Sequence, residues 1–125
     1  MLDLALTATG TTALVASTDR TVTLFDLRAP ATATAAAAGA LPHPATPACV
    51  RAAPANEHQA ASGAYDGVVR VWDLRSARAP IASFRADARG KGKILGLDWA
   101  LGVMAVGGED GLEVWKVGEG GVEIS

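Results

Sequence analysis

The sequence predicts an all-β chain of about three four-stranded antiparallel sheets, the consecutive blades of an incomplete β-propeller. Residues 13–28, 60–75 and 103–117 align without gaps, each an apolar strand, a tight polar turn and a second, alternating strand that closes on an aromatic residue. Those aromatics, Phe25, Trp72 and Trp115, lie 47 and 43 residues apart, bracketing the period of about 40–45 residues of a propeller blade. The composition agrees: 14 glycines serve the turns, and of the 50% hydrophobic residues 27 are alanine, which gives a thin core of small side chains.

The elements follow in chain order. Residues 2–6 form a short strand ahead of the first hairpin, which pairs residues 13–16 with the alternating Val22 and Leu24. Residues 29–40, almost all Ala and Thr, are a low-complexity linker or a weak outer strand. The second unit repeats the plan with residues 48–52, the hairpin of residues 59–62 with Val69 and Val71, and an outer strand near residues 80–84. The third has residues 94–100, then 103–106 with Leu112 and Val114; after Val117 only residues 122–124, beyond the Gly120-Gly121 turn, remain to fold back as an outer strand. The expected division is 1–30 for a first, partial blade, 31–47 for an Ala/Thr/Pro-rich linker and outer strand, 48–85 for the second blade and 86–125 for the third.

The repeats resemble the WD-repeat β-propellers over nearly the whole chain, most specifically in the middle copy. In that family a tryptophan, a serine or threonine, a turn aspartate and a histidine form a buried hydrogen-bond network, and the matching positions are Trp72, Ser62, Asp66 and His43. The resemblance implies that the indole N–H donates to the hydroxyl, the hydroxyl to the imidazole, and the ring's other nitrogen to the carboxylate, so every buried polar atom has a partner. Pro42 and Pro44 flank His43 in place of the usual Gly-His pair. On this reading Trp72 and Asp66 carry stability, and Arg70 on the same strand is dispensable. The flanking copies depart from the pattern: Val15 and Ala105 stand at the serine position, and Glu109 stands at the aspartate position unless one residue is deleted to bring in Asp110. Those blades are expected to rely on packing and to deform more easily.

A closer resemblance lies toward the C-terminus. Lys93-Ile94-Leu95-Gly96-Leu97-Asp98-Trp99, with the run from Val106 to Val117, is similar to the last repeat of the fungal Ytm-type ribosome-biogenesis proteins; residues 41–47 and 62–67 fit the repeat before it. The resemblance implies a non-catalytic nucleolar scaffold for large-subunit assembly and pre-ribosomal RNA processing. Its implied partners are an Erb/Bop-type propeller protein, a pescadillo-type protein and pre-60S particles, in the nucleus and nucleolus. Trp99, Arg89, Lys91 and Lys93 are the candidate contacts, and with Arg85 the basic residues form a small cluster that suits ribosomal RNA or an acidic partner, or else is a solvated loop. A rival reading rests on Trp72-Asp73-Leu74-Arg75, with Phe25-Asp26-Leu27-Arg28 as a weaker copy, which resembles the Trp-Asp-x-Arg box of cullin-type ubiquitin-ligase substrate receptors and makes Arg75 a contact.

Other chemistries find little support. Eleven basic and 13 acidic side chains, a net charge of -2, do not grip nucleic acid or an anionic membrane by bulk charge. No apolar run approaches the ~20 residues of a membrane helix, and residues 1–7 do not read as a secretory signal, so a reducing compartment and no membrane are expected. Cys49, His43 and His58 are too few for a structural zinc site, and Cys49 reads as a small buried thiol; no metal or cofactor is expected. The glycines around Lys91 and Lys93 fit neither the dinucleotide nor the Walker spacing. Ser62, His43 and Asp66 are the residue types of a nucleophilic triad, but the repeat buries them beside Trp72, so no enzyme is expected. Three blades fall short of the roughly 4–8 that close a ring. The chain therefore reads as a fragment of a longer protein, or else as one that assembles with another chain, with faces near Phe84 and Trp99 left without neighbours. The isolated polypeptide is expected to be oligomeric, aggregated or partly molten.

Overall fold

Twelve strands and no helix make up the described part of the computed structural model, which comprises residues 1–28, 36–75, 79–85, 92–109, 111–118 and 121–124. The strands form three four-stranded antiparallel sheets, each a meander of neighbours in sequence. The first contains β1 (Asp3–Leu6), β2 (Thr12–Ala16), β3 (Thr21–Asp26) and β4 (Ala36–Pro42). The second contains β5 (Pro47–Ala52), β6 (Gln59–Ala64), β7 (Val68–Asp73) and β8 (Ala82–Arg85). The third contains β9 (Ile94–Ala100), β10 (Val103–Gly108), β11 (Gly111–Gly118) and β12 (Gly121–Ile124). β4 is the outer strand of the first sheet and lies within the stretch expected to hold a linker and outer strand: although it is mostly alanine, it pairs with β3 across one irregularity at Leu24/Phe25 and carries Leu41 into the core.

Consecutive sheets pack face to face. Leu14, Ala16, Val22, Leu24 and Leu41 of the first sheet meet Val50, Ala60 and Trp72 of the second. The opposite face of the second sheet, Cys49, Ala61, Val69 and Val71, meets Ile94, Leu97, Met104, Val106 and Trp115 of the third. With a sheet on either side, both alternating sets of side chains on β6 are buried, which is why residues 60–64 read Ala-Ala-Ser-Gly-Ala. Phe84 and Trp99, expected to lack neighbours, pack onto the second junction, where Phe84 meets Trp115 edge-on with centroids 5.6 Å apart. The third sheet supplies the cover.

Two glycines mark close approaches. A Cβ at Gly63 would strike the Ile94 side chain and lie 2.8 Å from the Cys49 sulfur. That thiol is buried, and burial pushes its pKa up to about 11, so it behaves as a small apolar group. Gly67 turns the β6–β7 hairpin at a φ of 80°, with its missing Cβ 2.8 Å from the Gly92 carbonyl oxygen. Arg20 takes the equivalent place in the β2–β3 turn at a φ of 67°, a conformation that costs a side chain roughly 1–2 kcal/mol.

Polar clasps lock the first sheet to the second. Asp3 on β1 accepts from the Val50 N–H at 3.0 Å and from Arg51 Nη1 at 2.7 Å. Glu57, in the β5–β6 turn, accepts from the Thr9 N–H at 2.8 Å and the Thr11 hydroxyl at 2.6 Å in the β1–β2 turn. The threonine hydroxyls, Thr11 first, hold the Glu57 carboxyl down to about 2.

Overpacking at Gly63 is expected to cost about 1–3 kcal/mol in Gly63→Ala. Gly96→Ala, whose added methyl meets nothing within 4 Å, should stay within about 0.5 kcal/mol of the parent. Denaturant unfolding of both variants checks the pair, and equal midpoints would refute the tight junction.

Candidate functional site

The buried polar cluster lies where the first two sheets meet. His43 sits on the connection from β4 to β5, between two prolines that fix its backbone, and its N–H donates to the Arg20 carbonyl at 2.9 Å. Ser62 on β6 and Trp72 on β7 project from the second sheet toward the first. Trp72 Nε1 donates to Ser62 Oγ at 3.0 Å, and Ser62 Oγ lies 2.7 Å from His43 Nε2. His43 Nδ1 lies 2.9 Å from the Leu41 carbonyl oxygen. A main-chain carbonyl can only accept, which puts the ring proton on Nδ1 and leaves Nε2 to accept from the serine hydroxyl. The chain of donors thus runs in one direction, from indole to hydroxyl to imidazole to backbone. Burial lowers the His43 pKa; the Leu41 hydrogen bond opposes this, the positive charge of Arg70 adds to it, and the negative charge of Asp66 opposes it. The imidazole is therefore neutral in the folded protein at pH 7.

Asp66 is not part of that chain. Its carboxylate accepts from Arg70 Nη2 at 2.7 Å and Nη1 at 3.3 Å, and from the Val68 N–H at 3.2 Å. The expected Asp66–His43 bond is thus replaced on both sides, by Arg70 on the carboxylate and by Leu41 on the imidazole. The reason is the register: Arg70 pairs with Ser62 across the ladder, so its guanidinium is buried on the same face and needs a counter-charge. Burial acts to raise the Asp66 pKa, but the Arg70 hydrogen bond and charge, with the Val68 N–H, hold it below the ordinary carboxylate value. Arg70 is therefore no dispensable surface residue, at 9% exposure and in an ion pair.

The third sheet solves the same problem differently. Trp115 is fully buried, and its Nε1 donates to Glu113 Oε2 at 3.0 Å, two residues back on its own strand. Val106, not Ala105, stands at the serine position, because Gly108 pairs directly with Gly111 and the turn is one residue shorter than in the second sheet.

The remaining candidates separate. Arg75 forks onto Asp73 through Nε at 3.1 Å and Nη2 at 3.0 Å, while its N–H donates to the same carboxylate at 2.9 Å. Arg28 repeats the arrangement on Asp26. In both pairs the arginine side chain draws the aspartate down to about 2. The Lys93 ammonium lies 4.6 Å above the centre of the Tyr65 ring, and its main chain is bridged to Glu109 by the Glu109 N–H donating to the Lys93 carbonyl at 3.1 Å. Trp99 is half-buried in the second junction, and Arg89 and Lys91 lie outside the described residues. The clasps at Asp3 and Glu57 escape sequence reasoning; a lone carboxylate among leucines and another in a polar turn are their only signals.

Chemically, the cluster is a structural clamp. The serine and histidine stand at hydrogen-bond distance, yet both are buried, the hydroxyl also receives the indole N–H, and the carboxylate of a triad is bound to Arg70 instead. Among the described residues, no three His, Cys, Asp or Glu side chains are placed to hold a metal ion, and no helix is long and apolar enough to cross a membrane.

Removing the bridging hydroxyl in Ser62→Ala leaves the Trp72 N–H and His43 Nε2 buried without partners and should cost about 1–3 kcal/mol. Arg70→Ala, which strands the Asp66 carboxylate, should cost about as much as Asp66→Ala; a neutral Arg70→Ala in denaturant unfolding would contradict the ion pair. The unfolded histidine takes up its proton near pH 6.5 and the folded one only at lower pH. The contribution of His43 to stability is therefore fully present above pH 6.5 and lost as pH falls below it. Melts between pH 7.5 and 5 should show this decline in the parent and a flatter profile in His43→Gln.

The chain is similar to proteins named for ribosome biogenesis. Ribosome biogenesis protein YTM1 of Laccaria bicolor is 51% identical over 118 residues, 94% of this chain and 26% of that protein. The protein of the same name from Coprinopsis cinerea is 56% identical over 117 residues, again 94% of this chain and 26% of its own length. Ribosome biogenesis protein WDR12 homolog of Ixodes scapularis is 36% identical over 96 residues, 76% of this chain and 22% of that protein. The chain thus spans about a quarter of the length of the curated relatives it matches. No family model matches it.

Proposed function

We infer that this chain, related along nearly its whole length to the Ytm-type WD-repeat proteins, is a non-catalytic scaffold segment of a ribosome-biogenesis factor. The observation that carries the reading is identity of 51% and 56% over 94% of the chain to two proteins named for ribosome biogenesis. The factor acts in large-subunit assembly and pre-ribosomal RNA processing, in the nucleus and nucleolus, among pre-60S particles. Its partners are an Erb/Bop-type propeller protein and a pescadillo-type protein. The buried state of Ser62 and His43 supports a scaffold over an enzyme, since a nucleophile must be reached by substrate.

The ligase-receptor reading is disfavoured by Arg75, whose guanidinium is already engaged by Asp73 in a fork that the first sheet repeats with Arg28 and Asp26. An arginine that docks a partner must first release that carboxylate.

Affinity capture of the tagged chain from cells tests the reading. The expected catch is large-subunit assembly factors, with the tagged protein concentrated in the nucleolus. Recovery instead of a cullin adaptor, lost in Arg75→Ala, would overturn it.

A further inference from the structure

One end of the sheets gathers the β2–β3 and β6–β7 turns and the connection from β4 to β5. That connection ties the two turns together: the His43 N–H donates to the Arg20 carbonyl at 2.9 Å, and the Tyr65 N–H donates to the Thr46 carbonyl at 2.9 Å. From His43 to Thr46 the chain spans at most about 11 Å. The Lys93 ammonium lies 4.6 Å above the centre of the Tyr65 ring. Arg20 and Lys93 thus belong to one surface, joined by the connection that carries the exposed Pro44 and the half-buried Ala45.

The charges of this surface differ in what they hold. Asp19 accepts from the Thr21 hydroxyl at 2.6 Å and N–H at 3.2 Å, Asp66 is paired with Arg70, and Glu109 Oε1 accepts from the Lys93 N–H at 3.3 Å. The cations are not so engaged. Among the described residues the exposed Arg20 guanidinium has no hydrogen-bond or ion-pair partner, and the Lys93 ammonium has the Tyr65 ring and no carboxylate. Arg20 also stands where the backbone resists a side chain: its φ of 67° is the one positive value of a non-glycine residue among those described, and Gly67 fills the equivalent place in the second sheet. Glycine would meet the needs of the turn without strain, so what arginine adds there is its guanidinium.

Further sheets would not cover this surface. Sheets of this chain stack face to face and leave their turns at the rim: the second sheet has a neighbour on each side, yet Tyr65 on its β6–β7 turn stays 37% exposed.

We propose that this surface docks an acidic segment of a partner protein, with carboxylates received by Arg20 and Lys93. The connection between the two cations matches Asp or Glu residues two to four positions apart on an extended strand, which rises about 3.3 Å per residue. Nucleic acid fits less well. Its phosphates recur along the whole backbone and would meet the carboxylates of Asp19, Asp66 and Glu109, while Lys93 covers a ring face on which a base would stack. The inference does not depend on the ribosome-assembly reading.

Fluorescence anisotropy of a labelled peptide of alternating Glu and Ser, titrated with the purified chain, tests this against the same peptide with Gln for Glu and an oligouridylate of equal length. Binding should be about tenfold tighter for the Glu peptide than for the Gln peptide, and about tenfold weaker in Arg20→Gln and in Lys93→Ala. Lys116→Ala removes an exposed cation near the other end of β11 and should leave binding unchanged. Arg20→Gly, which also relieves the backbone, should lose the peptide while its unfolding midpoint in denaturant rises, so the loss is not one of folding. Binding that is absent or does not distinguish Glu from Gln overturns the proposal, as does full binding in Arg20→Gln or Lys93→Ala, or an equal loss in Lys116→Ala. An oligouridylate held more tightly than the Glu peptide also overturns it and assigns the surface to RNA.

Discussion

The indole of Trp72 has to be buried, and its N–H has to be satisfied where it is buried. Trp72 is the large side chain that the second sheet presses onto the first, at 1% exposure. An apolar cover alone would leave its donor stranded at a cost of about 1–3 kcal/mol. Ser62 meets the donor, and the serine hydroxyl in turn needs an acceptor that has no proton of its own. A neutral histidine is that acceptor, and it must come from outside the sheet, which makes the connection between β4 and β5 part of the core. The position of that connection is then fixed twice, by the imidazole and by the His43 N–H on Arg20. The left-handed backbone of Arg20 belongs to the same arrangement.

The second junction shows that the need is general and the solution is not. Trp115 is as deeply buried as Trp72, but Glu113 on its own strand takes the indole N–H, and no connection is recruited. The two junctions therefore differ in what they constrain. At the first, the polar chain ties three segments together and the carboxylates of Asp3 and Glu57 add bonds between residues more than forty positions apart. At the second, the contact is apolar packing of Cys49, Ala61, Val69 and Val71 on the third sheet, with Phe84 edge-on to Trp115 and Gly63 admitting Ile94.

Much of this is legible in the sequence because it repeats. The aromatic spacing and the alternation of Val22 and Leu24, Val69 and Val71 fix the hairpins and their order, and the serine and tryptophan of the middle copy mark where a polar group is buried. What is not legible depends on a choice between partners in space. Asp66 has two candidate partners in the sequence, His43 and Arg70, and only the register of β7 against β6 decides that Arg70 takes it. The serine position of the third copy moves from Ala105 to Val106 because a shorter hairpin shifts the ladder by one, which gapless alignment does not register. β4 is hidden by composition, since alanine has weak strand propensity and the strand exists through its ladder on β3. The clasps at Asp3 and Glu57 join turns and strands of different repeats, where no local pattern points.

The forks of Arg28 on Asp26 and Arg75 on Asp73 give the ends of β3 and β7 a charge pattern of their own. Each corner presents a guanidinium and a carboxylate within 3.0 Å, so each is close to neutral and its field is that of a dipole. At physiological ionic strength such a field dies away well inside a screening length of about 8 Å. A molecule approaching these corners feels almost no long-range attraction or repulsion, and encounter there is governed by shape and short contacts. Whatever electrostatic guidance the chain gives to an approaching partner must therefore come from charges elsewhere on its surface.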